Sequence, residues 1–165
     1  MVAAERTKTS DGVPEATAWP TISKEHHGIR KLAAALEATL ESSDFRAGGD
    51  TPPDYVLASK FGALWGLLVV HFAGEEKEAG FFSHLRAALP QRAQRIDALL
   101  KEHGEYLREI QDLVAAIALL AEPSERPRFL VRAKVLFRRL REHESRENEL
   151  AHESAGEQAT GLGAK

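Results

Sequence analysis

Four histidines stand at positions where the helical rhythm of this chain otherwise places leucine, isoleucine or phenylalanine. His26 belongs to a run with Ile29, Ala33, Leu36 and Leu40, and His71 follows Phe61, Leu64 and Leu68. His103 lies within Ile96, Leu100, Leu107, Ile110, Val114 and Ile117, and His143 continues Phe129, Ala133, Leu136 and Leu140. Steps of three and four residues keep one face of a helix turned inward. Two of the histidines are followed one turn later by a glutamate on the same face, Glu75 after His71 and Glu147 after His143. A buried polar side chain needs a partner, because leaving it unmet costs free energy. Six such groups, drawn from separate helices, can satisfy one another through a metal.

The helix boundaries are well marked. Thr21 after Pro20 is a fitting N-cap for the first helix, and Ser42-Ser43-Asp44 with Gly48-Gly49 closes it. Thr51-Pro52-Pro53-Asp54 supplies a cap, early prolines and an acid for the second. Gly74 and Gly80 weaken that helix, yet Phe81, Phe82, Leu85 and Leu89 keep an apolar pattern up to Pro90; a continuation, a kink and a short separate helix all fit. Pro90 opens the third helix, which extends to about Ala121, and residues 123–127 turn into the fourth. After His152 the composition shifts to Gly, Ala, Glu and Thr, where order is expected to fade. The expected organisation is a flexible segment over 1–20, one domain over 21–153 and a flexible tail over 154–165.

Four long helices with short connections favour an all-α, up-down-up-down antiparallel four-helix bundle. The histidine positions test that topology. His26 lies about 17 residues from the end of its helix and His71 about 18 from the start of the next, so at 1.5 Å per residue the two rings share a height. The third and fourth helices repeat the match, with about 18 residues after His103 and about 19 before His143. Amphipathicity alone does not require this balance. It places all four rings in one layer.

Composition narrows the chemistry. The chain has 165 residues, 43% of them hydrophobic, which suits one domain with a real core rather than two. It contains no cysteine, so disulfides, thiolate metal sites and iron–sulfur clusters are excluded, and any metal must take nitrogen and oxygen donors. With charged residues at 28% and a formal net charge of -3, no overall attraction for nucleic acid or an anionic membrane is expected. The uncharged stretch over 61–74 is about 14 residues long, short of the roughly 20 needed to cross a bilayer, and reads as a buried helix. Residues 1–20 carry Glu5, Lys8, Asp11 and Glu15 and lack an apolar stretch, so they do not resemble a secretory signal, and a cytoplasmic location is expected.

In a dinuclear centre each metal would take two imidazoles, while Glu75 and Glu147 would each bridge the pair with one oxygen per metal. An oxide or hydroxide from solvent could complete the bridge. Each metal then has about five ligands, leaving roughly one octahedral position open to a small molecule. Imidazole and carboxylate suit zinc and manganese as well as iron.

The order His26, then His71-Phe72-Ala73-Gly74-Glu75-Glu76, then His103, then His143-Glu144-Ser145-Arg146-Glu147 resembles the hemerythrin-like (HHE cation-binding) domain family over about residues 21–153. One HxxxE is a weak signal; two of them, on the second and fourth helices with lone histidines on the first and third, are specific. The resemblance implies a hemerythrin-like four-helix bundle with a non-haem site of two Fe ions, held by His26, His71, Glu75, His103, His143 and Glu147. Two departures from the oxygen-carrying members stand out. Leu107 occupies the place of a second histidine on the third helix, and Asn148 that of an aspartate, with Glu147 one residue earlier. The loss of a histidine leaves one iron more open, which points away from plain oxygen carriage and towards binding of peroxide, O2 or NO, with peroxide decomposition as the enzymatic form. The alternative is a non-enzymatic oxygen or iron sensor that signals to a protein partner, and a third reading is a structural bundle with adventitious zinc. A homodimer through the apolar second helix is compatible with the sequence.

Other motifs are weaker. Ferritin-like di-iron proteins need two inward Glu-x-x-His pairs, and only Glu149-Leu150-Ala151-His152 is present. The segment from His143 to Glu147 misses the zinc-protease HExxH pattern at its last position. His27, His84 and His152 fall off the inward pattern and are expected at the surface. Glu76 reads as an exposed charge, and Tyr106 as a source of a phenol ligand or hydrogen bond near His103. The fourth-helix cations Arg128, Arg132, Lys134, Arg138, Arg139, Arg141 and Arg146 read as a solvated face paired with Glu102, Glu105, Glu109 and Asp112.

Overall fold

The computed structural model describes residues 18–42, 45 and 54–162, and among these there is no strand. The helices are α1 (Ala18–Glu41), α2 (Asp54–Glu76), α3 (Phe81–Ala88), α4 (Ala93–Ala116) and α5 (Glu125–Leu162), with single 3₁₀ turns at Pro90–Arg92 and Ile117–Leu119. Four of them, α1, α2, α4 and α5, are long and pack in a closed cycle, each against the next and α5 back against α1.

Cross-helix pairs fix their directions. Lys60 Nζ donates to Thr39 Oγ1 near one end of the α1/α2 pair, while Glu25 meets His71 near the other. Arg95, Arg139 and Arg132 link Glu153, Glu105 and Glu109 in reverse order along α4 and α5. Arg30 and Glu37 of α1 meet Glu144 and Arg141 of α5, again in reverse order. The result is the expected antiparallel up-down-up-down four-helix bundle.

Two apolar clusters flank the histidine layer. The larger joins residues from all four long helices, including Leu36, Phe61, Leu64, Ile110, Leu113, Phe129, Leu136 and Phe137. Phe61 sits between Phe129, edge-on at 5.8 Å, and Phe137, stacked at 6.2 Å. At the far end Arg126 donates to the carbonyls of Leu120 and Phe45, tying connecting segments to the start of α5. The smaller cluster lies on the other side of the layer, where Phe81, Phe82, Leu85 and Leu89 meet Ile96, Leu99, Leu150 and Ala151.

The stretch after Gly80 is therefore a short separate helix, and a steric constraint explains the break. A Cβ at Gly80 would lie 2.3 Å from the Glu75 carbonyl oxygen and 2.8 Å from that of Lys77. Gly80 N donates to that Lys77 oxygen at 2.7 Å, so the chain turns tightly under the end of α2. The α3 cap then carries Phe82 to within 5.4 Å of the His103 ring.

Several boundaries shift from expectation. Helix α1 begins at Ala18 rather than at a Thr21 cap, since Pro20 in the first turn forfeits no intrahelical bond. Pro127 is accommodated in the same way in the first turn of α5. Ser42 ends α1, its hydroxyl donating to the Thr39 carbonyl and accepting from Phe45 N. The signals at Ser43, Asp44, Gly48, Gly49 and Thr51 to Pro53, and the segment 1–17, lie outside the described residues. Instead of giving way to a tail at 154, α5 continues as helix to Leu162; Leu150 and Ala151 pack on α3, and buried Ser154 donates to the Ala151 carbonyl.

The inward face of α4 also centres one residue earlier than the periodicity placed it. Leu99, Tyr106 and Leu113 are fully buried, while Leu100, Leu107 and Val114 flank them. By length and composition Tyr55–Ala88 would suffice to cross a bilayer. Here Leu57, Phe61, Leu64 and Leu68 of α2 are buried among the other helices, while Leu67 and Val70 on the same helix are exposed.

Two substitutions check this arrangement by urea unfolding. Gly62→Ala, whose new methyl meets nothing within 4 Å, should stabilise the fold by up to ~1 kcal/mol. Gly80→Ala should destabilise it by ~1–3 kcal/mol, because the clash is with backbone that cannot swing aside. Equal midpoints for the two variants would contradict the tight turn.

Candidate metal centre

All six inward polar residues meet in the layer between the two clusters. His26, His71, Glu75, His103, His143 and Glu147 are each no more than 5% exposed. His26 Nε2 lies 3.0 Å from His71 Nε2, and His103 Nε2 lies 3.2 Å from His143 Nε2. The carboxylates span the two pairs. Glu147 places Oε2 3.4 Å from His26 Nε2 and Oε1 2.8 Å from His143 Nε2 and 3.8 Å from His103 Nε2. Glu75 places Oε1 3.4 Å from His71 Nε2 and Oε2 3.7 Å from His103 Nε2. Despite these short distances, all four carboxylate oxygens are buried without a hydrogen bond of acceptable geometry.

The outer nitrogen of every ring faces a second acid. His71 Nδ1 lies 3.0 Å from Glu25, His103 Nδ1 2.6 Å from Glu76, His143 Nδ1 2.9 Å from Glu102 and His26 Nδ1 3.3 Å from Glu144. These contacts form a closed ring around the bundle. An acid on α1 backs a histidine on α2, one on α2 backs α4, one on α4 backs α5, and one on α5 backs α1. Each acid is also the immediate sequence neighbour of an inward residue on its own helix. A carboxylate at Nδ1 fixes the proton there and leaves Nε2 with its lone pair. Two such lone pairs about 3 Å apart repel unless a positive charge lies between them, a proton or a metal ion.

Electrostatics agree with this donor set. Burial and then the charge of Glu147 push the Glu75 carboxyl up to about 10. Burial acts on Glu147 in the same direction, but the imidazoles of His103, His143 and His26 overturn it and hold that carboxyl well below its usual range. Burial, reinforced by His26, lowers the pKa of His71 despite the opposing bond to Glu25. The two inner acids are thus driven in opposite directions, Glu75 towards its neutral form and Glu147 towards its ionised form.

Glu102 is the most heavily supported of the outer acids. Burial raises its pKa, yet Arg146, His143 and Tyr106 together bring it down to about 2. Arg146 grips it with two prongs at 2.8 and 2.7 Å, and the Tyr106 hydroxyl donates to Oε2 at 2.8 Å. Arg30 pairs with Glu144 in a similar supporting role.

The structure revises the roles of several residues. Tyr106 supplies a hydrogen bond, as one of its two expected roles, but directs it to Glu102 rather than into the layer. Glu76 is 47% exposed, as a surface charge would be, and still orients His103. Glu102 pairs with α5 as expected through Arg146, and its contact with His143 was not anticipated; neither were the roles of Glu25 and Glu144. Their signal was position, one residue from an inward histidine. His27 and His152 are exposed and His84 is half-buried. Asn148 faces outward and Leu107 packs on the larger cluster.

Because Glu75 holds its proton at neutral pH and a cation needs the carboxylate, metal uptake must expel that proton, and affinity should rise with pH up to about 10. Calorimetric titration with Zn2+ at pH 7, in two buffers of different ionisation enthalpy, should show Glu75→Gln releasing about one proton fewer than the parent chain. Identical release from both would contradict this charge state.

Donors of nitrogen and oxygen only, paired across four helices and backed by acids, are what a cation-binding bundle requires. No curated relative and no solved structure matches the chain. The hemerythrin HHE cation-binding domain model matches residues 17–154, spanning α1, α2, α4, most of α5 and every residue of the layer. The chain belongs to the hemerythrin HHE cation-binding domain family.

Proposed function

We propose that this chain holds two iron ions through His26, His71, Glu75, His103, His143 and Glu147, and that an open iron position binds a small oxidant, peroxide, O2 or NO. The observation that carries this reading is the pairing of the imidazoles with both carboxylates stretched between the pairs. Two cations would convert every buried contact in the layer from an unmet charge or lone pair into a bond. Bound iron would supply one-electron redox steps and a vacant position for a small molecule.

The chain's own residues set the conditions for that chemistry. The four outer acids hold the rings in one tautomer and one orientation, which strengthens Nε2 as a donor. Phe72 stacks on His103 at 3.7 Å and Phe82 closes on it from α3, so aromatic carbon walls that ring. Peroxide decomposition is the enzymatic form of this reading. The sensor form is supported by a different observation: the layer draws on all four long helices, so filling it would stiffen the whole bundle.

Iron analysis and optical spectra on protein purified without a histidine tag test the proposal. His71→Ala and His143→Ala should each lower bound iron by tenfold or more in the manner of a lost ligand, with His84→Ala at the parent level. Equal iron in all three variants would refute the ligand set. Iron-loaded protein should also change its spectrum on adding peroxide, O2 or NO. Peroxide consumed many times per iron marks an enzyme, whereas a stability change without turnover marks a sensor. Silence towards all three small molecules would overturn the oxidant-binding function.

A further inference from the structure

Helix α2 is apolar on both of its faces. One face carries Phe61, Leu64 and Leu68 into the bundle together with His71 and Glu75, and the other is exposed. On that outer face Tyr55, Leu67 and Val70 are 74%, 42% and 66% exposed, with Gly62, Ala63 and Ala73 exposed among them. Ser59 completes the exposed positions from Tyr55 to Ala73, so none of them is charged over about five turns. The exposed face of α4, by contrast, carries a charge every turn or two, at Asp97, Lys101, Arg108 and Asp112. In the most apolar 18-residue window of Tyr55–Ala88 only 33% is buried inside the bundle. A continuous apolar surface of this kind marks a contact site.

The relief and the ends of the face suit a second copy of this chain. Gly62 and Ala63 form a low stretch, and Leu67 and Val70 a raised one. Two copies laid antiparallel about a two-fold axis set the raised part of each on the low part of the other. Lys60 flanks the face at one end, and Glu76, Lys77 and Glu78, net negative, follow it at the other. Antiparallel pairing brings each Lys60 towards the acidic turn of the other copy and opposes the two helix dipoles; parallel pairing would set like ends together.

Beside the face a groove of about 430 Å3 opens between α2 and α4, bordered by Gly62, Trp65, Ile110 and Val114. The Trp65 indole nitrogen is buried without a hydrogen-bond partner. An acceptor brought by the second copy would relieve that cost. From Tyr55 to Ala73 the face is about 27 Å long, and with the groove it is about two helix diameters wide. Two copies would bury ~1,100 Å2 between them, just above the ~1,000 Å2 that a specific interface needs. A lipid surface fits less well, because helices that lie on membranes flank their apolar face with several cations, whereas Lys77 stands between two glutamates here.

We propose that two copies of this chain pair through the outer face of α2, antiparallel about a two-fold axis that passes near Gly66. His71 and Glu75 point away from that face, so the pairing does not rest on the ligand set proposed above.

Sedimentation of the full chain from about 1 to about 100 µM, the range suited to an interface at the small end of the specific class, should pass from monomer to dimer. Val70→Glu should weaken the dimer by ~100-fold with unchanged helical circular dichroism, since it sets a like charge from each copy in the apolar centre. Val131→Glu is the control: that residue is 61% exposed on α5, next to Arg132, and the variant should dimerise like the parent. The chain has no cysteine, and a side chain at Gly66 meets nothing within 4 Å. Oxidised Gly66→Cys should therefore be trapped as a disulfide-linked dimer, whereas Val131→Cys should remain monomeric under denaturing conditions. A chain that stays monomeric throughout, or a dimer that survives Val70→Glu, would overturn the interface. A dimer lost in Val70→Glu but never trapped through Gly66→Cys would overturn the antiparallel two-fold arrangement. Co-sedimentation of the parent with phosphatidylcholine vesicles, abolished by Val70→Glu, would overturn the proposal in favour of a lipid surface.

Discussion

The bundle is organised around a repulsion that must be relieved. Two pairs of imidazole nitrogens face each other at about 3 Å, each with its outward nitrogen engaged by an acid, and two carboxylates lie among them without a hydrogen bond. In an apolar interior such an arrangement is costly unless positive charge enters it. The surrounding features either impose that arrangement or support it. The outer acids fix the rings, Arg146 and Arg30 pair with two of those acids, and the helices hold the donors at one height. The site is thus a strained set of bases whose strain is the affinity for a cation.

The fold tolerates such a layer because apolar burial is arranged on both sides of it. Below lies the larger cluster, with Phe61, Phe129 and Phe137 at its heart. Above lies a smaller one, supplied by α3, the start of α4 and the later part of α5. Deleting a buried phenylalanine from such a core typically costs ~3–5 kcal/mol, so the apolar layers can hold the helices in register independently of the metal layer. The short helix α3 exists because the chain must turn sharply after Glu76, and Gly80 allows that turn. The same turn keeps Glu75 and Glu76 at the end of α2, where one faces inward and the other reaches His103.

Much of this was legible from the residues in order. The alternation of three and four around His26, His71, His103 and His143 marks the inward faces, and the balanced distances to the helix ends bring the rings to one depth. The six inward donors follow from that. Other features depend on neighbours that no local pattern names. Tyr106 rather than Leu107 fills the centre of the α4 face because Glu102 accepts its hydroxyl on the neighbouring turn. Glu102 reads as a partner of the fourth-helix cations and nothing local marks Glu25 or Glu144, since the histidine each one orients lies on another helix. The break before α3 was left open because the close approach of Gly80 to the Glu75 carbonyl is a property of the folded chain. Around His152, a polar composition concealed that Leu150 and Ala151 still meet α3 and that Ser154 is buried.

The acid ring has a further consequence for how this protein can vary. Each long helix carries two adjacent duties, an inward donor of its own and the support for the histidine of its neighbour. Rolling one helix about its axis therefore disturbs two halves of the circle together, and the effects of substitutions on adjoining helices should be far from additive. A single helix transplanted from another bundle would have to satisfy both its predecessor and its successor. The four helices are interlocked as a cycle, and they are free to change only as a set.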